Sequence, residues 1–318
     1  MQILLAVLMF ATWTTMFSFG KIALALSPPL FLTGFRMVLA GVLLLGYLLI
    51  RKRSSFKLNR QQVISLVLLG FFSIYLTNSL EFWGLQHLSA AKTCFLYSLS
   101  PFFAAFFSYL HFKEKINLKK AIGLSIGFLG IIPVLFYKTG TEEILHAFSI
   151  FSWPELALIG AVLCSVYGWV LLRLVVKNQT VSPSMANGSS MLIGGMFAFI
   201  HSFFVESWTP TPVAEGQMVS FLQIVLLMTG ISNILCYNLY GMMLKRFTAT
   251  FLSFVGLLSP IFASISGWVF LGEPISWVIA LSTSVVCLGL WLVYQAELKQ
   301  GYIVKKSEEK TSEAIAAG

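Results

Sequence analysis

Charge is what this sequence has least of. Only 10% of its 318 residues are Asp, Glu, Lys or Arg, against 58% hydrophobic, and the mean hydropathy is +0.86. No soluble domain of this length sustains that balance. Cysteine is nearly absent. Cys94, Cys164, Cys236 and Cys287 fall singly in four different apolar segments, without metal-ligand spacing, and read as small core hydrophobes. His87, His111, His146 and His201 are as scattered. No Gly-rich phosphate loop, HExxH or Ser/His/Asp order is visible, so an intramembrane enzyme has no support and neither a cofactor nor a metal is implied. Period-2 alternation is missing too, which sets aside barrel strands in favour of helices.

What is present is a series of long apolar runs. About 20 residues at 1.5 Å rise cross a hydrocarbon core of about 30 Å. Ten segments qualify, at about 2–20, 29–50, 62–82, 89–111, 117–137, 155–176, 185–205, 218–240, 248–271 and 275–295. Ala23-Leu24-Ala25 resembles a signal-peptide cleavage site, but no Lys or Arg precedes the first run, which is therefore read as a retained helix. With the N-terminus inside, seventeen Lys and Arg residues fall on the cytoplasmic side (Arg51 to Arg60, Lys113 to Lys120, Arg173, Lys177, Lys245, Arg246 and the C-terminal lysines). Only Lys21, Lys92 and Lys138 lie outside. That bias places both termini of a multi-pass membrane protein in the cytoplasm. It also accounts for the net charge of +9. A nucleic-acid surface is not the source, since the charges are spread over every inner loop without aromatic interleaving.

The second half of the chain repeats the first. Leu99-Ser100-Pro101-Phe102-Phe103-Ala104 answers Leu258-Ser259-Pro260-Ile261-Phe262-Ala263, 159 residues on, and the match continues to Glu114-Lys115-Ile116 against Glu273-Pro274-Ile275 and to Gly130 against Gly289. Nearer the start, Ala6-Val7-Leu8 answers Ala161-Val162-Leu163 and Ser27-Pro28 answers Ser182-Pro183, both 155 apart. Five crossings per copy leave the copies oppositely oriented, and inverted repeats meeting at the midplane are the architecture of secondary transporters. The expected organisation is a first repeat at 1–137, an external connection at 138–154, a second repeat at 155–295 and a disordered cytoplasmic tail at 296–318. The connection lies along the outer interface or gates the cavity.

Together these residues resemble the drug/metabolite transporter superfamily, and within it the EamA branch. Gly272-Glu273-Pro274-Ile275 looks like that branch's signature at the end of helix nine. Glu81-Phe82-Trp83-Gly84-Leu85 with Leu88-Ser89-Ala90-Ala91 resembles its stretch between helices three and four. The first copy departs from the pattern at Lys115, where the family often has Pro. The resemblance covers residues 1–296 and implies transport through a central cavity by alternating access, without ATP.

Read for their own chemistry, Pro101 and Pro260 sit near the middle of helices four and nine, where each removes a backbone donor and frees carbonyls near Tyr97 and Gly256. They are either hinges beside the transport path or static kinks. Ala104/Ser108 and Ala263/Gly267 permit close helix packing. Glu114 and Glu273 are expected to cap the helices that follow them. Arg36 lies roughly 10 Å deep in helix two, an expensive position that calls for a partner or a cavity. Either it pairs with Glu81 or snorkels to headgroups, or it attracts a substrate carboxylate, or Glu81 exchanges protons.

Polar stripes complete the candidate site. Asn233, Tyr237 and Tyr240 share one face of helix eight. Tyr75, Asn78 and Glu81 line helix three, with Trp13 and Thr14 on helix one, Tyr97 and Ser98 on helix four, and Tyr167 and Trp169 on helix six. Interhelical hydrogen bonding alone would explain single residues. As a pocket, these walls are aromatic and uncharged apart from Arg36 and Glu81. They suit a planar ring or an amphipathic zwitterion better than a polyphosphate, which wants several cations. Taken whole, the chain resembles the EamA carriers of S-adenosylmethionine and S-adenosylhomocysteine, which implies uptake of the first in exchange for the second. An amino-acid or drug exporter of the same fold shares every motif, and a non-transporting scaffold would need the stripes to be pure packing. The expected partners are a small-molecule substrate and the lipid bilayer, with the chain a monomer or homodimer.

Overall fold

The computed structural model describes residues 2–52, 56–88, 93, 96–130, 132–133, 152–179, 181–209, 211–259, 261–262 and 277–302. All regular structure among them is helical. In chain order, α1 spans Gln2–Leu26 and α2 Pro29–Arg51, while α3 runs from Arg60 to His87 through a π-helical stretch at Gly70–Leu76. Next come α4 at Ser100–Phe112, α5 over 118–130, and α6 from Trp153 to Asn178, whose last turn, Leu174–Asn178, is π-helical. Then α7 covers Pro183–Val205, α8 runs from Met218 to Met243 through a π stretch at Thr229–Cys236, α9 covers Ala249–Leu258 with a 3-10 final turn, and α10 covers Trp277–Lys299. Six of the described helices are long and apolar enough to cross a membrane.

Short polar signals set the helix starts. Asn59 and Gln62 form a reciprocal capping box at α3, with bonds of 2.8 and 2.9 Å. Ser182 and Thr248 cap α7 and α9 through their hydroxyls. Prolines stand in the first turns of α2, α4, α6 and α7, where a missing N–H costs nothing. Pro101 is one of these, and the helical span is interrupted just before it. The chain turns at Ser98–Leu99, α4 restarts at Ser100, and the Tyr97 carbonyl is taken up by the Ser100 hydroxyl at 2.5 Å. A proline at the start of a helix breaks no bond inside it. Pro260 lies outside the described residues, as do Ala263, Gly267, the Gly272–Ile275 signature and residues 138–151 of the connection. The expected tail begins later than 296: α10 continues to Lys299, Glu297 is fully buried, and the Tyr302 hydroxyl accepts the Lys115 N–H at 2.8 Å.

The packing is that of a membrane bundle. Leucine, isoleucine and phenylalanine face outward (Ile50, Phe106, Ile200, Phe204), while Arg36, Asn187 and Asn233 are buried. Without a hydrophobic force between helices in lipid, small residues bring the backbones together. Against α7, a Cβ on Gly41 would meet the Leu192 backbone nitrogen at 2.7 Å, and one on Gly195 the Val38 nitrogen at 2.8 Å. The carboxylate of Glu206, at the end of α7, accepts the Leu30 and Phe31 N–H groups of α2 at 2.7 and 2.8 Å. Gly123 and Gly289 bring α5 and α10 equally close.

The crossing of α2 and α7 yields a direct test. Gly41→Leu is expected to cost about 1–3 kcal/mol or more, seen as a lower melting temperature in detergent. Gly46→Leu, on the same helix but with nothing within 4 Å of its Cβ, should melt close to the parent protein.

Candidate functional site

Where α1, α2, α3, α4, α6, α8 and α9 converge, the structure holds a cavity of about 1100 Å³, counting the open space at its mouth. Trp13, Arg36, Asn78, Glu81, Tyr97, Trp169 and Tyr237 all line it. Three expected residues do not. Tyr167 stacks between Phe72, Phe107 and His111 at 5.1–5.5 Å. Tyr240 is buried behind the wall against Phe10, Trp13 and Trp169. Asn233 is fully buried, its amide donating to the Met37 sulfur at 3.0 Å. A helical stripe spans more than one neighbour, so one of its three residues (Tyr237) reaches the cavity and the others pack. Tyr75 likewise turns to His201, 3.0 Å away, on α7.

Two charges face this cavity, and they are not a pair. The Arg36 guanidinium donates to Asn78 Oδ1 at 2.7 Å, and Asn78 is fixed in turn by its own bond to the Ile74 carbonyl at 2.9 Å. Phe82 lies 5.2 Å below the guanidinium. The Glu81 carboxylate accepts instead from the Tyr97 hydroxyl at 2.5 Å. The same lining is also aromatic, with the Trp13 ring 5.0 Å from Tyr237 and 6.0 Å from Phe10.

Sequence reasoning missed part of the lining, including Phe10, Ser100, Ser165, Ser232 and Ser253. The repeat held the missing signal. Phe10 and Ser165, and Thr14 and Trp169, are 155 residues apart, while Asn78 and Tyr237, Tyr97 and Gly256, and Ser100 and Ser259 are 159 apart; all of them line the cavity. The π stretches of α3 and α8 also begin 159 residues apart, at Gly70 and Thr229, and each is followed within two residues by a lining side chain, Asn78 or Tyr237. Such π turns are frequent at functional sites.

One end of the cavity is sealed. Below Trp169 and Tyr237, the side chains of Tyr240, Leu244, Phe251 and Phe254 form a closed core. Beyond them stand two buried ion pairs. Arg173 meets Glu114 at 2.5 Å, and Lys120 meets Glu297 at 2.6 Å with the Thr248 hydroxyl on the same carboxylate. Glu114 therefore does not cap the next helix as expected; Asn117 does, accepting the Lys120 N–H at 2.8 Å. The counter-charge on α6 was the stronger draw for a buried carboxylate. Among the described residues no cluster of His, Cys, Asp or Glu offers a metal site.

The model of the EamA-like transporter family matches residues 1–136 and 152–295. The chain belongs to that family. Among relatives of this EamA protein, the S-adenosylmethionine/S-adenosylhomocysteine transporter of Chlamydia muridarum is 42% identical over 92% of this chain and 91% of its own length. Its namesake in Chlamydia trachomatis serovar L2 is 41% identical over 92% and 88%. A WAT1-related chloroplastic protein of Arabidopsis thaliana is more distant, at 26% over 89% and 67%. One solved crystal structure, 15% identical, superposes with a TM-score of 0.72 over 94% of this chain and 97% of that one, a likeness of fold. The EamA protein is thus a membrane transporter, and its family is not one of enzymes.

The ion pairs of this EamA bundle carry a prediction. Arg173→Gln strands a buried carboxylate and is expected to cost about 3–5 kcal/mol, read as lost folded yield and a lower melting temperature. Combining Arg173→Leu with Glu114→Leu should recover most of that loss, whereas a double variant no more stable than the single would mean that the two groups do not act as a pair.

Proposed function

We propose that this protein takes up S-adenosylmethionine in exchange for S-adenosylhomocysteine across the cytoplasmic membrane. In this reading it is a ten-span carrier of two oppositely oriented five-helix repeats, with both termini in the cytoplasm. The observation that carries the reading is the identity above 40% with transporters named for those two compounds, over nearly the whole of both chains. The chemistry of the cavity agrees with it. The substrate has a planar adenine, a sulfonium centre and a zwitterionic amino-acid end. Trp13, Trp169 and Tyr237 offer faces for the ring and the onium charge, each such contact worth about 0.5–2 kcal/mol. Arg36, held by Asn78, offers the planar fork that binds a carboxylate.

The ends of the bundle fit alternating access. Arg173, Lys120 and the other basic residues mark the sealed end as the cytoplasmic one. Entry is then from outside, past Leu85 and Met16, toward a floor closed by the two ion pairs. To release cargo inside, those pairs must part and take up water. Exchange needs no driving ion, since the returning ligand resets the carrier.

Labelled S-adenosylmethionine should enter proteoliposomes preloaded with S-adenosylhomocysteine several-fold faster than empty ones. Arg36→Gln, losing a charge-assisted bond of about 1.5–3 kcal/mol, should lower uptake at limiting substrate by about tenfold or more. If neither the preload nor an inward proton gradient stimulates uptake above protein-free vesicles, the reading falls, and an amino-acid or drug exporter takes its place.

A further inference from the structure

We infer that Glu81, oriented by Tyr97, is the receptor for the substrate's α-ammonium group, so that the cavity selects ligands with a complete amino-acid end. This rests on the carrier reading above. Arg36 and Glu81 are the charged side chains among those lining the cavity. A carboxylate and a guanidinium in one low-dielectric space attract strongly, yet here each is held by a neutral partner. Arg36 binds Asn78 at 2.7 Å and Glu81 binds Tyr97 at 2.5 Å. The hydrogen bonds of both groups thus go to neutral partners, and a zwitterionic ligand seated between them meets both charges at once.

The spacing supports the same assignment. Asn78 and Glu81 are three residues apart on α3, hence neighbours on one face, with Cβ atoms about 5–6 Å apart. One steadies Arg36 and the other presents its own carboxylate. An ionised carboxylate has about four acceptor positions. Tyr97 takes one of them, and the side chain is only part-buried where it meets the cavity. Tyr97 arrives from the turn before α4, so it fixes Glu81 from a different segment than the one that carries it.

The repeat gives an independent argument. The positions equivalent to Arg36, Asn78, Glu81 and Tyr97 in the second copy are Met191, Tyr237, Tyr240 and Gly256. The charged quartet therefore exists once. The charges of the cavity therefore come from one copy, while Tyr237, the counterpart of Asn78, adds an aromatic ring to the same lining, which suits a ligand that carries both a zwitterion and a ring.

The test is competition against labelled S-adenosylmethionine in proteoliposomes, using two probes: S-adenosylhomocysteine, and 5′-methylthioadenosine, which keeps the ring and the thioether but has no amino-acid end. The parent protein should prefer the first by tenfold or more. Glu81→Gln should weaken S-adenosylhomocysteine about tenfold and leave 5′-methylthioadenosine unchanged. Tyr97→Phe, which keeps the ring and drops one hydroxyl, should show a smaller loss of the same selectivity and serves if Glu81→Gln does not fold. A variant that weakens both probes equally, or neither, overturns the assignment and leaves Glu81 a structural or idle group. Exchange that loses its pH dependence in Glu81→Gln while amine selectivity persists overturns it in favour of a proton carrier. If the parent protein recognises neither S-adenosyl compound, the carrier reading fails by itself. Glu81 is then read with free amino acids against their 2-hydroxy acid analogues: loss of the amine preference in Glu81→Gln supports the assignment, and an unchanged preference overturns it.

Discussion

A charge inside a low-dielectric bundle has to find a counter-group, and the arrangement of this protein follows from where its few charges find theirs. At the basic end, Glu114, Arg173, Lys120 and Glu297 satisfy one another across helices that are far apart in sequence, drawing α4 to α6 and α5 to α10. A buried pair of this kind adds little net stability over an apolar one, but an unpaired member is costly, so it specifies which helices meet. In the centre the rule is met differently. Arg36 and Glu81 hydrogen-bond to the neutral Asn78 and Tyr97, and both line the cavity proposed to receive a ligand's charges.

The chain contains no aspartate, so every acidic group is a glutamate, with a side chain long enough to reach a neighbouring helix. Glu206 uses that reach to close the start of α2 from the end of α7, Glu297 to meet α5, and Glu81 to meet Tyr97. Each bond joins two different helical segments, and those of Glu206 and Glu297 join opposite halves of the chain. Together with the glycine contacts between α2 and α7 and between α5 and α10, they hold the rigid frame in which the cavity walls stand.

Much of this was legible before any coordinates. Apolar run lengths gave the helices, because the bilayer fixes a crossing length. The expense of an intramembrane Arg drew attention to Arg36, and helical periodicity to Asn78, Glu81 and Tyr237. What periodicity cannot supply is the azimuth of a helix against several neighbours. Asn233 and Tyr240 share a stripe with Tyr237 yet pack behind the wall, because one helical face meets several neighbours: Asn233 lies against Met37, and Tyr240 against Phe10 and Trp169. Partner choice was equally hidden. Arg36 bonds Asn78 and not Glu81, and Glu114 takes Arg173 in place of a cap, since both outcomes depend on interhelical distances of a few ångströms.

The repeat also shows how far the two ends differ. The sequence positions equivalent to Glu114 and Arg173 are Glu273 and Ser18, and those equivalent to Lys120 and Glu297 are Ile279 and Lys138. Neither pair of counterparts can form an ion bridge. In the proposed alternating-access cycle, opening the end that carries Glu114 and Lys120 parts two buried ion pairs. Under that proposal the separation of these buried charges makes opening toward the basic end a step that bound cargo has to assist. The charged wall lies in the same copy as Glu114 and Lys120. The groups that would hold the zwitterion and two of the four groups that seal the floor therefore belong to the same half of the chain. That shared origin gives ligand binding a short structural route to the closure it must release: α4 begins beside Tyr97 and ends next to Glu114.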